Sequence, residues 1–441
     1  MTYGPPRQIE SWGRVVRPLQ EIAQPSFREQ LPRVIAARSK RSVLPTGLQR
    51  SYGDSNLNTS GQLIDMCSLD RVIAFDAENG ILCAEAGLSL GEVLRLTVPY
   101  GWFLKTTPGT RFVTLGGAVA NDVHGKNHQL AGSFGNCVRR LGLVRGDGTE
   151  YTLSPENNAD LFSATIGGLG LTGAIAWVEI ELAPIVSSDL EVERIPFGNI
   201  GEFFTLNSET KDSHEHTVAW VDCASKGPSL GRGIFQRANW SRSGQLCLHS
   251  SAIRVTVPFE APITPLNRIT IKLFNDVYYR MQRSGTPRRT QHYAPFFYPL
   301  DGIGHWNRLY GPRGLYQYQC VIPPKDSRSA IEELVRQISR SGAGSFLAVL
   351  KTLGPIRSRG LISFPRQGAT LALDFANRGN STLDLLARLD RVVVEAGGAL
   401  YAAKDGRVPK EVFRAGYPRF DAFRELVDPA FSSDFWRRVN A

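Results

Sequence analysis

Three observations predict an α+β fold in two domains for this chain of 441 residues. From about residue 30 to residue 182, short strand patterns alternate with turn signals and brief helical stretches. No regular strand–helix–strand crossover appears, and no G-x-G-x-x-G follows a first strand, so a doubly wound parallel sheet is not supported. Past residue 186 aromatics and prolines thicken and the period is mostly that of strands, which marks a second unit. The boundary is placed near 183–192.

Each element has a local reason. Runs 42–47 (SVLPTG) and 61–66 (GQLIDM) are short, apolar and bounded by Gly or Pro, as strands are. Runs 71–87 (RVIAFDAENGILCAEAG) and 138–154 (VRRLGLVRGDGTEYTLS) read as hairpins, turned at Glu78-Asn79-Gly80 and Gly146-Asp147-Gly148. Run 173–184 (GAIAWVEIELAP) is a further strand. Between them, 89–101 (SLGEVLRLTVPYG) has a helical period with Ser89 as N-cap and Pro99 near its end, and 158–168 ends its helix at Gly167-Gly168. In the second unit, 326–344 (DSRSAIEELVRQISRSGAG) is a helix capped near Ser327 or Ser329. Another is 381–401 (STLDLLARLDRVVVEAGGALY), closed by Gly397-Gly398. The last forty residues are basic and aromatic.

Composition limits the function classes. Hydrophobic residues at 42% and charged ones at 21% suit a globular protein with a real core, not a disordered chain. A net charge of +10 favours phosphorylated substrates, polyanions or anionic membrane surfaces. The basic residues are scattered, which argues against a nucleic-acid groove. Six widely spaced cysteines with no CxxC suggest neither zinc nor a disulfide framework, and point to a reducing compartment. The N-terminal stretch lacks the apolar core of a signal peptide, and no run reaches the ~18 apolar residues of a membrane span.

Three glycine-bearing stretches carry the chemistry: 45–56 (PTGLQRSYGDSN), 108–127 (PGTRFVTLGGAVANDVHGKN) and 166–175 (IGGLGLTGAI). Each alone is a turn. Together, in one α+β region, they supply many backbone N–H donors to an extended anionic ligand, with Arg50 and Ser51 adding side-chain donors.

Their order and spacing resemble the flavin-binding domain of the vanillyl-alcohol-oxidase (PCMH-type) family. The stretches GLQRSYGDSNLN, DVHGKNHQLAGSFGN, PLDGIGHWNRLYGPRGLYQYQCVIP, LISFP and YAAKDGR resemble, within that family, the enzymes that oxidise a polyprenylphosphoryl ribose. This likeness runs over nearly the whole chain. It implies a PCMH-type FAD-binding domain over 1–185, an inserted antiparallel-sheet substrate domain over 186–392, and a segment, 393–441, that returns to the FAD domain.

The resemblance implies a set of site residues. Pro45, Thr46, Gly47, Leu48, Gln49, Arg50, Ser51, Tyr52, Gly53, Asp54 and Ser55 would line the FAD diphosphate and flavin. Gly109, Thr114, Leu115, Gly116, Gly117, Asn121, Asp122, Val123 and His124 would continue along the cofactor, Ile175 would meet the adenine, and Tyr401 would come back to the flavin. Some relatives attach FAD through a histidine of the first loop. This loop has none, so a non-covalent, dissociable FAD is expected.

Around the reacting centre the matching positions are Tyr52, His124, Lys126, Gln317, Gln319, Lys351, Thr370 and Lys404. Oxidising a secondary alcohol needs hydride loss from carbon and proton loss from the hydroxyl, so a base or a cation beside the alkoxide lowers the barrier. Lys404 and His124 are the candidates for that role, with Tyr52 beside them. Lys126 and Lys351 suit the lipid phosphate, and Gln317 and Gln319 the sugar hydroxyls. Two departures stand out: Thr370 and Ala372 fill the family's Asn and Cys positions, and Phe297 stands where a tyrosine is usual. Without that cysteine, inhibitors that trap its thiol should fail.

Blander readings are taken elsewhere. His214 and His216 have no third ligand nearby and read as surface loop, not metal. His305 and Trp306 could line the pocket but read first as packing on the sheet, the aromatics 293–298 as core or pocket wall, and Asp301 as a turn cap. The function implied is FAD-dependent oxidation of the 2′-hydroxyl of a polyprenylphosphoryl-β-D-ribose. A separate NAD(P)H-dependent reductase would complete an epimerisation in arabinan synthesis, since the chain has no nicotinamide fingerprint. The lipid substrate implies a cytoplasmic enzyme peripheral to the inner membrane, with no nucleic-acid partner. The alternatives are an aldonolactone or alditol oxidase using oxygen, and a non-catalytic glycolipid-binding protein on the same fold.

Overall fold

The structure is a computed structural model, and it describes residues 3–249, 253, 255–262 and 264–441. Its fold is α+β, built on three main sheets. The first has four strands in the order Arg7–Gln8, Leu19–Ala23, Gln62–Asp65, Val43–Thr46, the last three mutually parallel. The second is antiparallel around the long strand Ala174–Pro184, flanked by the hairpins Val72–Asp76/Ile81–Glu85 and Val138–Val144/Glu150–Leu153, with Trp102–Leu104 on the same strand. The turns at 78–80 and 146–148 are where the Asn-Gly and Asp-Gly pairs set them. Helix Leu90–Thr97 starts at Ser89, whose Oγ accepts the Glu92 N–H at 3.1 Å.

The third sheet has eight antiparallel strands: Arg288–His292, Asp189–Phe197, Gly233–Trp240, His216–Val221, Ala348–Leu353, Gly368–Ala376, Leu315–Ile322 and Ala399–Leu400. Helices Ile200–Thr210, Ser327–Ser341 and Asn380–Glu395 cover one face. Side chains alternate along a strand, so Tyr318, Cys320, Leu350, Leu371 and Leu373 meet Leu334, Ile338, Leu385 and Leu389 in a dry core. The other face of the same strands carries Gln317, Gln319, Lys351, Thr370 and Asp374. That split decides where the chemistry sits.

The C-terminal segment closes the molecule. After Ala399–Leu400 joins the edge of Leu315–Ile322, the chain runs through Tyr401–Asp405, where the Ala403 carbonyl accepts the Tyr52 N–H at 2.9 Å. Further on, Val43 N–H donates to Ala430 at 2.8 Å and Ser432 N–H to Val43 at 3.1 Å, so the last forty residues cap the first sheet.

The strand texture read across 186–375 misses three α-helices, Ile200–Thr210, the 17-residue Arg268–Ser284 and the short Tyr293–Phe297. The second leaves Ile269, Leu273, Phe274, Val277 and Met281 exposed and buries Ile271 alone of its aliphatic side chains, so the pattern lacks the buried stripe of a core helix. Helix Ser327–Ser341 is preceded by Asp326. Ser327 sends its hydroxyl back to Ile322 and Pro323 instead of capping, and the Ser329 hydroxyl reaches back to Asp326 at 3.2 Å.

Candidate active site

A cavity of about 890 Å³ lies between the glycine-bearing loops, the polar face of the eight-stranded sheet and the C-terminal turn. Among the described residues its lining holds Arg50, Lys126, Arg194, Lys351 and Lys404 against Asp301 and Asp374 only. Such a surplus of buried cations is unfavourable unless an anion joins them.

The first loop forms one end. The N–H groups of Leu48 to Ser51 find no acceptor among the described residues. The Arg50 Nε and Ser55 Oγ are buried without a partner. The Arg50 guanidinium lies 4.0 Å from the Trp12 ring centre and 5.3 Å from that of Phe112, and burial lowers its pKa. A Cβ on Gly47 would come 2.5 Å from Thr114 Oγ1, whereas Gly109 faces open space. Unpartnered donors along a bare loop fit the diphosphate of a dinucleotide cofactor, and the cavity continues past Gly116, Gly117, Gly170, Gly173 and Ile175.

Most of the positions matched to FAD line this cavity: Pro45 to Tyr52, Ser55, Gly109, Thr114, Gly116, Gly117, Asn121, Val123, His124, Ile175 and Tyr401. Four do not, each for a physical reason. Gly53 packs its backbone on Asp405, Asp54 pairs with Arg438 at 2.7 Å, Leu115 is core, and Asp122 accepts the Gly135 N–H at 2.8 Å and the Ser133 hydroxyl at 2.9 Å. Tyr401 stacks on Phe364 and donates its hydroxyl to the Asn121 carbonyl at 2.8 Å.

The other end is the sheet face. Gln319 Nε2 lies 3.0 Å from His124 Nε2, and it donates to that nitrogen when the neutral ring carries its proton on Nδ1. Burial, then Lys351, His128 and Lys404, hold His124 well below its ordinary pKa, so it is neutral. Lys126 donates to the Phe296 carbonyl and lies 4.2 Å above that ring, while Lys351 donates to the Gly125 carbonyl at 3.0 Å. Burial drives both lysines down to about 7, with Lys351 adding to the effect on Lys126 and Lys404 to that on Lys351. Lys404 falls to about 8, burial lowering it and Asp374 opposing. Asp374, missed in the sequence, accepts from Gln317 Nε2 at 2.6 Å and is raised by burial to about 7. Its only sequence signal is register: it stands two residues beyond Ala372 on the same face.

Thr370 Oγ1 accepts from Gln319 at 3.2 Å, and Ala372 and Phe297 line the cavity. Three bland readings need correction. His216 is on a strand and buried against Phe297 at 5.0 Å, with only His214 partly exposed. Asp301 is buried and accepts the Arg111 N–H at 2.9 Å, tying the second loop to the substrate unit. His305 and Trp306 both reach the cavity lining, Trp306 packed on Trp12.

Residues 20–154 match an FAD binding domain family. Decaprenylphosphoryl-β-D-ribose oxidase of Mycolicibacterium smegmatis is 36% identical over 457 residues, covering 98% of this chain and 97% of that one. An uncharacterized protein of Streptomyces coelicolor is 32% identical over 80% of this chain and 100% of its own length. A D-arabinono-1,4-lactone oxidase assigned in Neurospora crassa is 26% identical over 40% of this chain and 32% of that one. The chain belongs to the decaprenylphosphoryl-β-D-ribose oxidase family, and is an FAD-dependent oxidoreductase.

Proposed function

We propose that the enzyme oxidises the 2′-hydroxyl of a polyprenylphosphoryl-β-D-ribose to the 2′-keto sugar. A separate NAD(P)H-dependent reductase then completes the epimer, an arabinose donor for cell-surface glycan. The observation that carries this reading is the cation-rich sheet face, Lys126, Lys351 and Lys404, opening on the same cavity as the cofactor loops. An anionic alcohol placed there favours the charged forms of lysines that the two lining aspartates, Asp301 and Asp374, do not fully balance.

When bound, FAD supplies the hydride acceptor. The residues do the rest. Lys404, at about 8, is partly neutral near physiological pH and accepts the hydroxyl proton as carbon loses its hydride. Neutral His124 and the Tyr52 ring fix its surroundings. Lys126 and Lys351 hold the phosphate, and Gln317, Gln319 and Thr370 read sugar hydroxyls. The cofactor unit comprises 1–185 with the C-terminal segment from Tyr401 on, and 186–392, continued by the edge strand Ala399–Leu400, supplies the substrate face. A lipid substrate brings the enzyme to the inner face of the cytoplasmic membrane as a peripheral protein.

Anaerobic titration tests this. A polyprenylphosphoryl-ribose should bleach the flavin absorbance, while free alditols and aldonolactones should leave it. Bleaching by a lactone and not by the lipid sugar overturns the assignment.

A further inference from the structure

Eleven of the twenty large apolar side chains exposed among the described residues fall between 246 and 303. Monomeric proteins seldom concentrate exposed apolar surface without a partner for it. Five of the eleven, Ile269, Leu273, Phe274, Val277 and Met281, lie on the helix Arg268–Ser284. Ile269, Leu273, Val277 and Met281 follow one another at every fourth position, a single stripe, and Ile269, Leu273 and Met281 are 78%, 63% and 65% exposed. The inner side of the helix is fixed by buried Ile271 and by Asn275, which donates to Asp222 at 2.8 Å. The stripe is therefore held outward by the packing of the opposite face.

Beside the stripe stand exposed Arg268, Lys272, Arg280 and Arg283, with Asp276 the one acid of the helix, paired to Lys272 at 2.7 Å. An apolar stripe bordered by cations is the pattern of a helix lying in the plane of an anionic bilayer, apolar face among the acyl chains and cations at the headgroups. The surface is also continuous with the active-site cavity, since Phe274 and Tyr278 of this helix line it together with Ile253 and Ile303.

We propose that this face docks on an anionic lipid bilayer and opens the cavity toward the membrane. It deepens the lipid-substrate reading and rests on it for its purpose: a prenyl tail then passes from bilayer to cavity without crossing water. The docking itself requires no sugar.

The test is flotation of the holoenzyme with vesicles. Wild type should bind vesicles of phosphatidylglycerol and phosphatidylcholine, and bind pure phosphatidylcholine far less. The triple variant Ile269→Gln/Leu273→Gln/Met281→Gln should lose about tenfold or more in partitioning. Arg280→Gln/Arg283→Gln should lose about fivefold per charge on phosphatidylglycerol vesicles only. Both variants should keep the wild-type flavin spectrum and the wild-type rate on detergent-solubilised substrate. Wild type that ignores anionic vesicles overturns docking, as does a folded triple variant that binds like wild type. A concentration-dependent dimer in sedimentation, abolished by the triple variant, overturns it too, because the face would then be covered by a second copy. Since the vesicles hold no sugar, failure here leaves the substrate assignment standing, and failure of flavin bleaching leaves docking standing.

Discussion

The Nζ of Lys404 lies 4.1 Å from the centre of the Tyr52 ring, inside the cavity and within the field of Asp374. The ring and the carboxylate favour the cation, while burial disfavours it more, so the ammonium is held near about 8. A lysine in that range exchanges its proton at working pH. An ordinary lysine, titrating above 10, does not.

Replacing Lys404 by Met should slow anaerobic flavin reduction by roughly 10² to 10⁴, the range for loss of a general base, with the flavin still bound. In the wild type the reduction rate should climb with pH and level off above about 8, because only the neutral amine accepts the proton. A rate independent of pH from 6 to 9 (approximate limits set by the span of such titrations) rejects the role.

Asp374 raises the Lys404 pKa, so Asp374→Asn should move the inflection of that profile to lower pH. The amide still reaches Gln317, which separates loss of charge from loss of the hydrogen bond. Movement of the inflection toward higher pH would falsify the coupling.

Lys126 and Lys351, both near about 7, are mostly neutral at pH values above that. A phosphate placed beside them favours the charged forms and draws their pKa values back up. Binding of a phosphoryl lipid at alkaline pH should therefore take up protons, detected by calorimetry in buffers of different ionisation enthalpy. Equal heats in all buffers would remove these lysines from the phosphate site.

Ala372 faces the cavity beside its cross-strand partner Gln319, while Cys320, the next residue on that strand, turns into the helix-side core and is buried. Cavity-directed electrophiles that trap a thiol should leave the wild type unmodified, as mass spectrometry of the intact protein would show. Ala372→Cys should gain one adduct and lose activity with it. An adduct on the wild type inside the cavity contradicts the reading.

What the sequence disclosed, and what it hid, follows from the range of each signal. Hairpin turns at 78–80 and 146–148, the Ser89 cap and the glycine loops are local, and local chemistry writes them plainly. The sheet face is not local. Gln319, Lys351 and Thr370 come from three strands, and only register brings them together. Asp374 was hidden for that reason, as was the buried state of His216 and Asp301. In the first loop, Gly53 and Asp54 sit within a motif whose neighbours line the cavity, yet their own contacts are with the C-terminal segment, more than 350 residues away.

That contact gives a last prediction. A Cβ on Gly53 would fall 1.6 Å from the Asp405 carbonyl oxygen and 2.6 Å from the Gly406 α-carbon. Both are backbone, so no side-chain rotation relieves the clash. Tyr52, next in the chain, is bonded to Ala403 at 2.9 Å, so loop and C-terminal turn must part together. Gly53→Ala should cost about 3 kcal/mol, at the upper end for overpacking, and loosen flavin retention, read as a lower denaturant midpoint and free flavin on gel filtration. Gly302→Ala, outside the cofactor loops, is the control, for nothing lies within 4 Å of its added carbon, and its midpoint should equal that of the wild type. If Gly53→Ala is as stable as Gly302→Ala, the C-terminal turn does not clamp the cofactor loop.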